Sequence, residues 1–83
     1  MTEVEDLAKL RRTLHNRTSV ILRATRQDLD LSQCAVAAML GWTRNMVANL
    51  ESGRRTLSFA DFVVIAKAFN IEPEKMLHRM LYW

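Results

Sequence analysis

The sequence has little of what staples, kinks or loosens a chain: one cysteine, one proline and two glycines in 83 residues. A lone Cys34 excludes an internal disulfide, and with His15 and His78 far apart no metal-ligand spacing arises. No polar stretch lacks periodicity, which excludes a disordered or low-complexity chain. No apolar run approaches the roughly 18 residues of a membrane span, and the acidic opening TEVED is the wrong start for a signal peptide. We therefore expect a cytoplasmic protein of one domain, with no cofactor and no metal. A core in so short a chain buries only roughly 60 to 65% of the unfolded surface, so pairing with a second copy would add stability.

What is present is helical periodicity. Thr2 and Glu5 have the spacing of a capping box, and Val4, Leu7, Leu10 and Leu14 follow on one face. The cluster His15-Asn16-Thr18-Ser19 either breaks this helix or is carried through, after which Val20, Ile21, Leu22 and Ala24 continue to about Gln27. Ser32 and Thr43 are good N-caps for helices over 33–40 and 44–52, with Gly41 between them free to take positive φ. Ser58 and Asp61 form a second capping box before Phe62, Ile65, Ala66 and Phe69, and Pro73 opens a last helix to about Leu81. The expected fold is all-α.

The net charge of +3 hints at a polyanionic partner, and its placement says more. Between residues 17 and 55, six arginines (Arg17, Arg23, Arg26, Arg44, Arg54 and Arg55) face only Asp28, Asp30 and Glu51. Yet from Leu31 to Leu50 the single charge is Arg44. At 100° per residue, Val47 and Leu50 fall on one side of the helix over 44–52, and Arg44, Asn45, Ala48 and Asn49 on the other. Arginine and asparagine carry the forked donors and acceptors that match guanine and adenine edges, and Ala48 permits close approach. Val36, Ala37 and Leu40 would pack on Val47 and Leu50. Two short helices joined by a glycine turn make a helix-turn-helix, whose second helix enters the DNA major groove.

The segments LRATRQDLDLSQ, AVAAMLG and WTRNMVANLESGRRTLSFADFVVIAKAFNI together resemble the Xre/Cro-like helix-turn-helix family of phage repressors and bacterial regulators, over roughly Val20 to Leu77. The combination Leu31-Ser32-Gln33, Ala37, Gly41 and Glu51-x-Gly53 carries the likeness. The resemblance implies a compact five-helix domain over residues 19–83, preceded by a helical extension over 1–18 that the family does not explain. It implies that Arg44, Asn45, Met46 and Asn49 reach bases, although Met46 lies between the two faces and suits the core equally. It implies backbone contacts from Gln33, Ser52, Arg54 and Arg55, to which Thr43 and Arg23 are added by position. Arg26 and Glu51 match positions that pair inside some relatives.

One departure stands out. The outward positions of the first motif helix, commonly charged in the family, are here Cys34, Ala35, Ala38 and Met39. The last helix carries a stripe of Met76, Leu77, Met80 and Leu81, with Trp83 beyond; part of it must cap the small core, and the stripe is expected to form a dimer interface, in competition with Val4, Leu7, Leu10 and Leu14. The function expected is a dimeric transcriptional repressor of double-stranded operator DNA. Its rivals are an antitoxin that also grips a toxin, a restriction-system controller, and an interaction module that has lost DNA binding. No nucleophile, base and orienting group can be assembled, so no enzyme is expected.

Overall fold

The computed structural model describes the backbone of residues 2–82 and the side chains of residues 6–82. Five helices follow one another: α1 (Thr2–Asp28), α2 (Gln33–Leu40), α3 (Arg44–Glu51), α4 (Phe59–Ala68) and α5 (Pro73–Tyr82). None among the described residues is long and apolar enough to cross a membrane. The side chains of the Thr2 and Glu5 capping pair, and Trp83, lie outside the described residues.

The extension is continuous with the first helix of the domain. Residues 2–28 form one uninterrupted helix, so the expected boundary between 18 and 19 falls in its middle. Asn16, Thr18 and Ser19 have weak helix propensities, each worth only tenths of a kcal/mol. The hydroxyls of Thr18 and Ser19 are satisfied within the helix: Thr18 Oγ1 donates to the Leu14 carbonyl at 2.8 Å and Ser19 Oγ to that of His15 at 3.3 Å.

Three helix ends share one solution. After α1, α2 and α4 the chain turns through Asp30 (φ 60°), Gly41 (φ 69°) and Asn70 (φ 57°), all left-handed. The next amide in each case, of Leu31, Trp42 or Ile71, donates back to the carbonyl of Arg26, Ala37 or Ala66 at 2.9–3.1 Å. That is the Schellman arrangement, and its apolar follower folds onto the core each time: Leu31, Trp42 and Ile71 all pack there. The starts of α2, α3 and α4 are closed by Ser32, Thr43 and Ser58, whose hydroxyls accept from the amides of Ala35, Met46 and Asp61. Asp61 does not return the bond as a full capping box would. Its carboxylate lies 3.9 Å from Arg55 instead.

The core joins Ile21 and Leu22 of α1, Val36 and Ala37 of α2, Val47 and Leu50 of α3, Ile65 and Ala66 of α4 with Phe69 just beyond it, and Met76 and Met80 of α5. This corrects the expected interface on α5. Met76 is 0% exposed and Met80 5%, so both belong to the protein's own core, and only Leu77 and Leu81 of that stripe remain in solvent. The reason is that α1 lies against α5: Arg17 donates to the Leu81 carbonyl at 2.8 Å, and Thr18 Oγ1 sits 3.9 Å from the Met80 sulfur.

Candidate nucleic-acid interface

Helix α3 is amphipathic in a way that leaves one surface free. Val47 and Leu50 are buried, which turns Arg44 and Asn45 fully into solvent at the first turn, with Met46, Ala48 and Asn49 half-buried beside them. Thr43, the N-cap, is exposed at the head of the same surface, its hydroxyl occupied by the Met46 amide. α2 crosses behind, with Val36 and Ala37 in the core and Gly41 supplying the left-handed turn between the two helices. A short helix is thereby held by its apolar side, with Arg44 and Asn45 of its first turn exposed.

The loop after α3 is wound back onto it. The amides of Arg54 and Arg55 both donate to the Asn49 carbonyl, at 2.9 and 3.0 Å, and Ser52 Oγ donates to the same oxygen at 3.2 Å. Gly53 takes the left-handed φ +83°; a Cβ there would make only ordinary 3.6 Å contacts with His15 and Ser19, so the backbone conformation and not space favours glycine. Arg54 and Ser52 stand exposed just beyond the end of α3. Arg55 does not. Its guanidinium lies 4.6 Å above the Trp42 ring, its Nη2 is 3.9 Å from Asp61, and its Nε is buried without an acceptor. The two neighbouring arginines therefore differ: Arg54 is available to a phosphate, whereas Arg55 first fastens the loop to the turn before α3 and to α4.

Behind the surface lies a buried charge cluster. Arg26 Nε and Nη2 donate to the two oxygens of Glu51 at 2.6 and 3.1 Å, a bidentate fork, and Arg26 Nη1 donates to the Leu31 carbonyl at 2.7 Å. The Glu51 hydrogen bond holds the Arg26 guanidinium above its ordinary value against the opposing effect of burial. Gln33 completes the cluster by donating to Glu51 Oε1 at 3.1 Å. Gln33 was expected to reach a phosphate with its side chain. It is turned inward instead, because Glu51 has a lone pair that the arginine fork leaves unfilled. One residue from α1, one from α2 and one from α3 thus meet at Glu51.

Elsewhere, Arg23 is exposed on α1. Cys34, Ala38 and Met39 are exposed and Ala35 half-buried, so the outward side of α2 is an apolar surface without a cover among the described residues. No group of three or more His, Cys, Asp or Glu is placed to hold a metal among those residues. Sequence reasoning missed one contact of consequence: His15 Nε2 donates to the Gly53 carbonyl at 2.7 Å. The two are 38 residues apart, and no local pattern signals the pairing.

The polar surface of α3, its α2 support and its wound-back loop define a helix-turn-helix. The helix-turn-helix family model (HTH_3) matches residues 22–76, well over half of the chain, and the chain belongs to this Xre-like family. Among solved structures it is similar to the restriction-modification controller protein C.AhdI from Aeromonas hydrophila, with 31% identity and a TM-score of 0.69. That match covers 75% of this chain and 94% of the other. No curated protein matches the chain. Family and neighbour together mark it as a DNA-binding transcriptional regulator.

Proposed function

We propose that the protein is a sequence-specific repressor, acting in the cytoplasm as a homodimer on a near-palindromic operator. The observation that carries this reading is the free first turn of α3, where Arg44 and Asn45 are exposed on a helix whose opposite side is core. In the reading, Arg44, Asn45 and Asn49 contact base edges, with Met46 at the margin of the groove. Arg54, Ser52, Thr43, Arg23 and the free edge of Arg55 position the domain on phosphates. Two copies would place their α3 helices in successive major grooves about 34 Å apart and block access to a promoter.

A second reading is favoured by one observation, the similarity to a restriction-modification controller over nearly all of that protein's length. Here the regulated promoter would belong to a restriction-modification operon. Both readings share the same interface and differ only in the target.

The test is fluorescence anisotropy of the parent and of Arg44→Ala on duplex from upstream of the gene and on random duplex. A preference of about a thousandfold for the upstream duplex, lost in Arg44→Ala, is the expected result. Equal affinities of parent and variant for both duplexes would remove Arg44 from the reading surface.

A further inference from the structure

The basic side of α1 extends past the start of the family match at residue 22 toward the N-terminus. That side runs along the end of α3 and its loop. Arg26 forks onto Glu51 at the end of α3, and His15 Nε2 donates to the Gly53 carbonyl at 2.7 Å. Between them, Ser19 Oγ lies 3.6 Å from where a Cβ of Gly53 would stand. At about 100° per residue, Arg11 and Arg12 fall within about 60° of His15 around the helix, and Asp6 falls on the opposite side. Rising about 1.5 Å per residue, the two arginines lie about 4 to 6 Å beyond His15 along α1.

Arg11 and Arg12 line an open groove together with His15, Thr56 and Leu57. Thr56 follows directly on Arg54 and Arg55, so the groove sets the two α1 arginines beside the loop that the functional reading places against phosphates. No carboxylate lines this groove, and neither arginine has an ion-pair partner among the described residues. Both are exposed. An unpaired basic pair continuous with a phosphate-binding loop is complementary to a polyanion, and the polyanion already within reach of Arg54 is DNA. A strand presents a phosphate about every 3.4 Å along the duplex axis, so a basic track longer than one loop meets additional phosphates.

We propose that Arg11 and Arg12 are a second phosphate-binding element, which grips the duplex backbone beyond the phosphates met by Arg54 and adds affinity without reading sequence. The bond from His15 to Gly53 ties the two basic elements into one surface. The inference rests on the DNA-binding reading and lengthens its footprint.

Anisotropy titrations at several salt concentrations, on random duplex and on duplex from upstream of the gene, test it. Arg11→Gln/Arg12→Gln keeps the helix propensity of α1, so its circular dichroism should match the parent. On both duplexes its slope of log affinity against log salt should be shallower by about 0.9 for each arginine removed per bound chain, with the preference for upstream DNA retained. Lys67→Gln/Arg79→Gln removes the same charge from exposed positions of α4 and α5 and should leave the slope at the parental value. Ethylation interference on the upstream duplex gives the location. Phosphates whose ethylation weakens the parent but not Arg11→Gln/Arg12→Gln should lie outside those that lose their effect in Arg54→Ala. The proposal is overturned by a parental slope in Arg11→Gln/Arg12→Gln, by an equal change in Lys67→Gln/Arg79→Gln, or by the same phosphates answering to Arg54. A parent that binds neither duplex sinks the functional reading itself, whereas a parent that binds DNA with the slope of Arg11→Gln/Arg12→Gln sinks this inference alone.

Discussion

Arg26 and Glu51 form a two-pronged ion pair between α1 and α3, with side chains only 11% and 6% exposed. Glu51 is the last residue of α3, so the pair fixes the helix end that lies farthest from the Gly41 turn. Its position matters more than its net energy, since a buried pair is rarely worth more than a well-packed apolar replacement. Breaking it is another matter, because a buried charge is left alone. Glu51→Ala should destabilise the fold by about 3 kcal/mol, lowering Tm by on the order of 15 °C in thermal denaturation. The guanidinium, raised above its ordinary value, keeps its charge far beyond neutrality. With a raised folded value, the arginine's contribution is fully present below the unfolded value and is lost only in strong alkali, so it adds no pH dependence near neutral pH.

Arg44 and Arg54 should separate specificity from affinity. Arg44→Ala should lose about 1 to 3 kcal/mol on the operator and relax preference at one base position. Arg54→Ala should weaken every duplex about equally and lower the slope of log affinity against log salt by about 1. Anisotropy titrations over several salt concentrations read both effects. Because both side chains are exposed, denaturation midpoints should stay at the parental value.

Adjacent residues of α5 should behave in opposite ways. Met76→Ala removes a side chain with no exposed surface and should cost about 2 to 5 kcal/mol in chemical denaturation. Leu77→Ala, half in solvent, should change stability by less than about 0.5 kcal/mol. Similar losses at the two positions would contradict the assignment of Met76 to the core.

Gly41 sits at φ +69° with nothing within 4 Å of where a Cβ would lie. Backbone strain alone therefore sets the effect, and Gly41→Ala should cost about 1 kcal/mol while Gly41→Asn costs less. Thermal melts of the two variants give the comparison. Equal losses would point to packing in place of strain.

Trp42 and Arg55 make a further measurable pair. Arg55→Ala should change the fluorescence of Trp42, whose ring the guanidinium covers at 4.6 Å, and should loosen the loop that carries Arg54. The expected consequence is a loss of DNA affinity larger than Arg54→Ala produces, since both a fastening and a charge are removed.

Much of this molecule was determined locally and could be read from the residues in order. Ser32, Thr43 and Ser58 begin their helices because a hydroxyl there satisfies an amide two or three residues on, and Gly41 ends α2 because it tolerates a left-handed turn. The period of Val47 and Leu50 turned Arg44 and Asn45 outward whatever the rest of the chain did. Asp30 and Asn70 perform the same turn as Gly41, but a polar residue is a weak sign of a left-handed conformation and the apolar follower was the better clue. Tertiary structure alone decided the rest, because those choices depend on neighbours distant in sequence. Whether α1 broke at Asn16 was settled by packing against α5, where Arg17 reaches the Leu81 carbonyl and Thr18 the Met80 sulfur. Which half of the α5 stripe was core was settled by the approach of α1. Gln33 donates to Glu51, and Arg55 lies over Trp42 and beside Asp61, because folding placed an unfilled acceptor and an aromatic face within their reach.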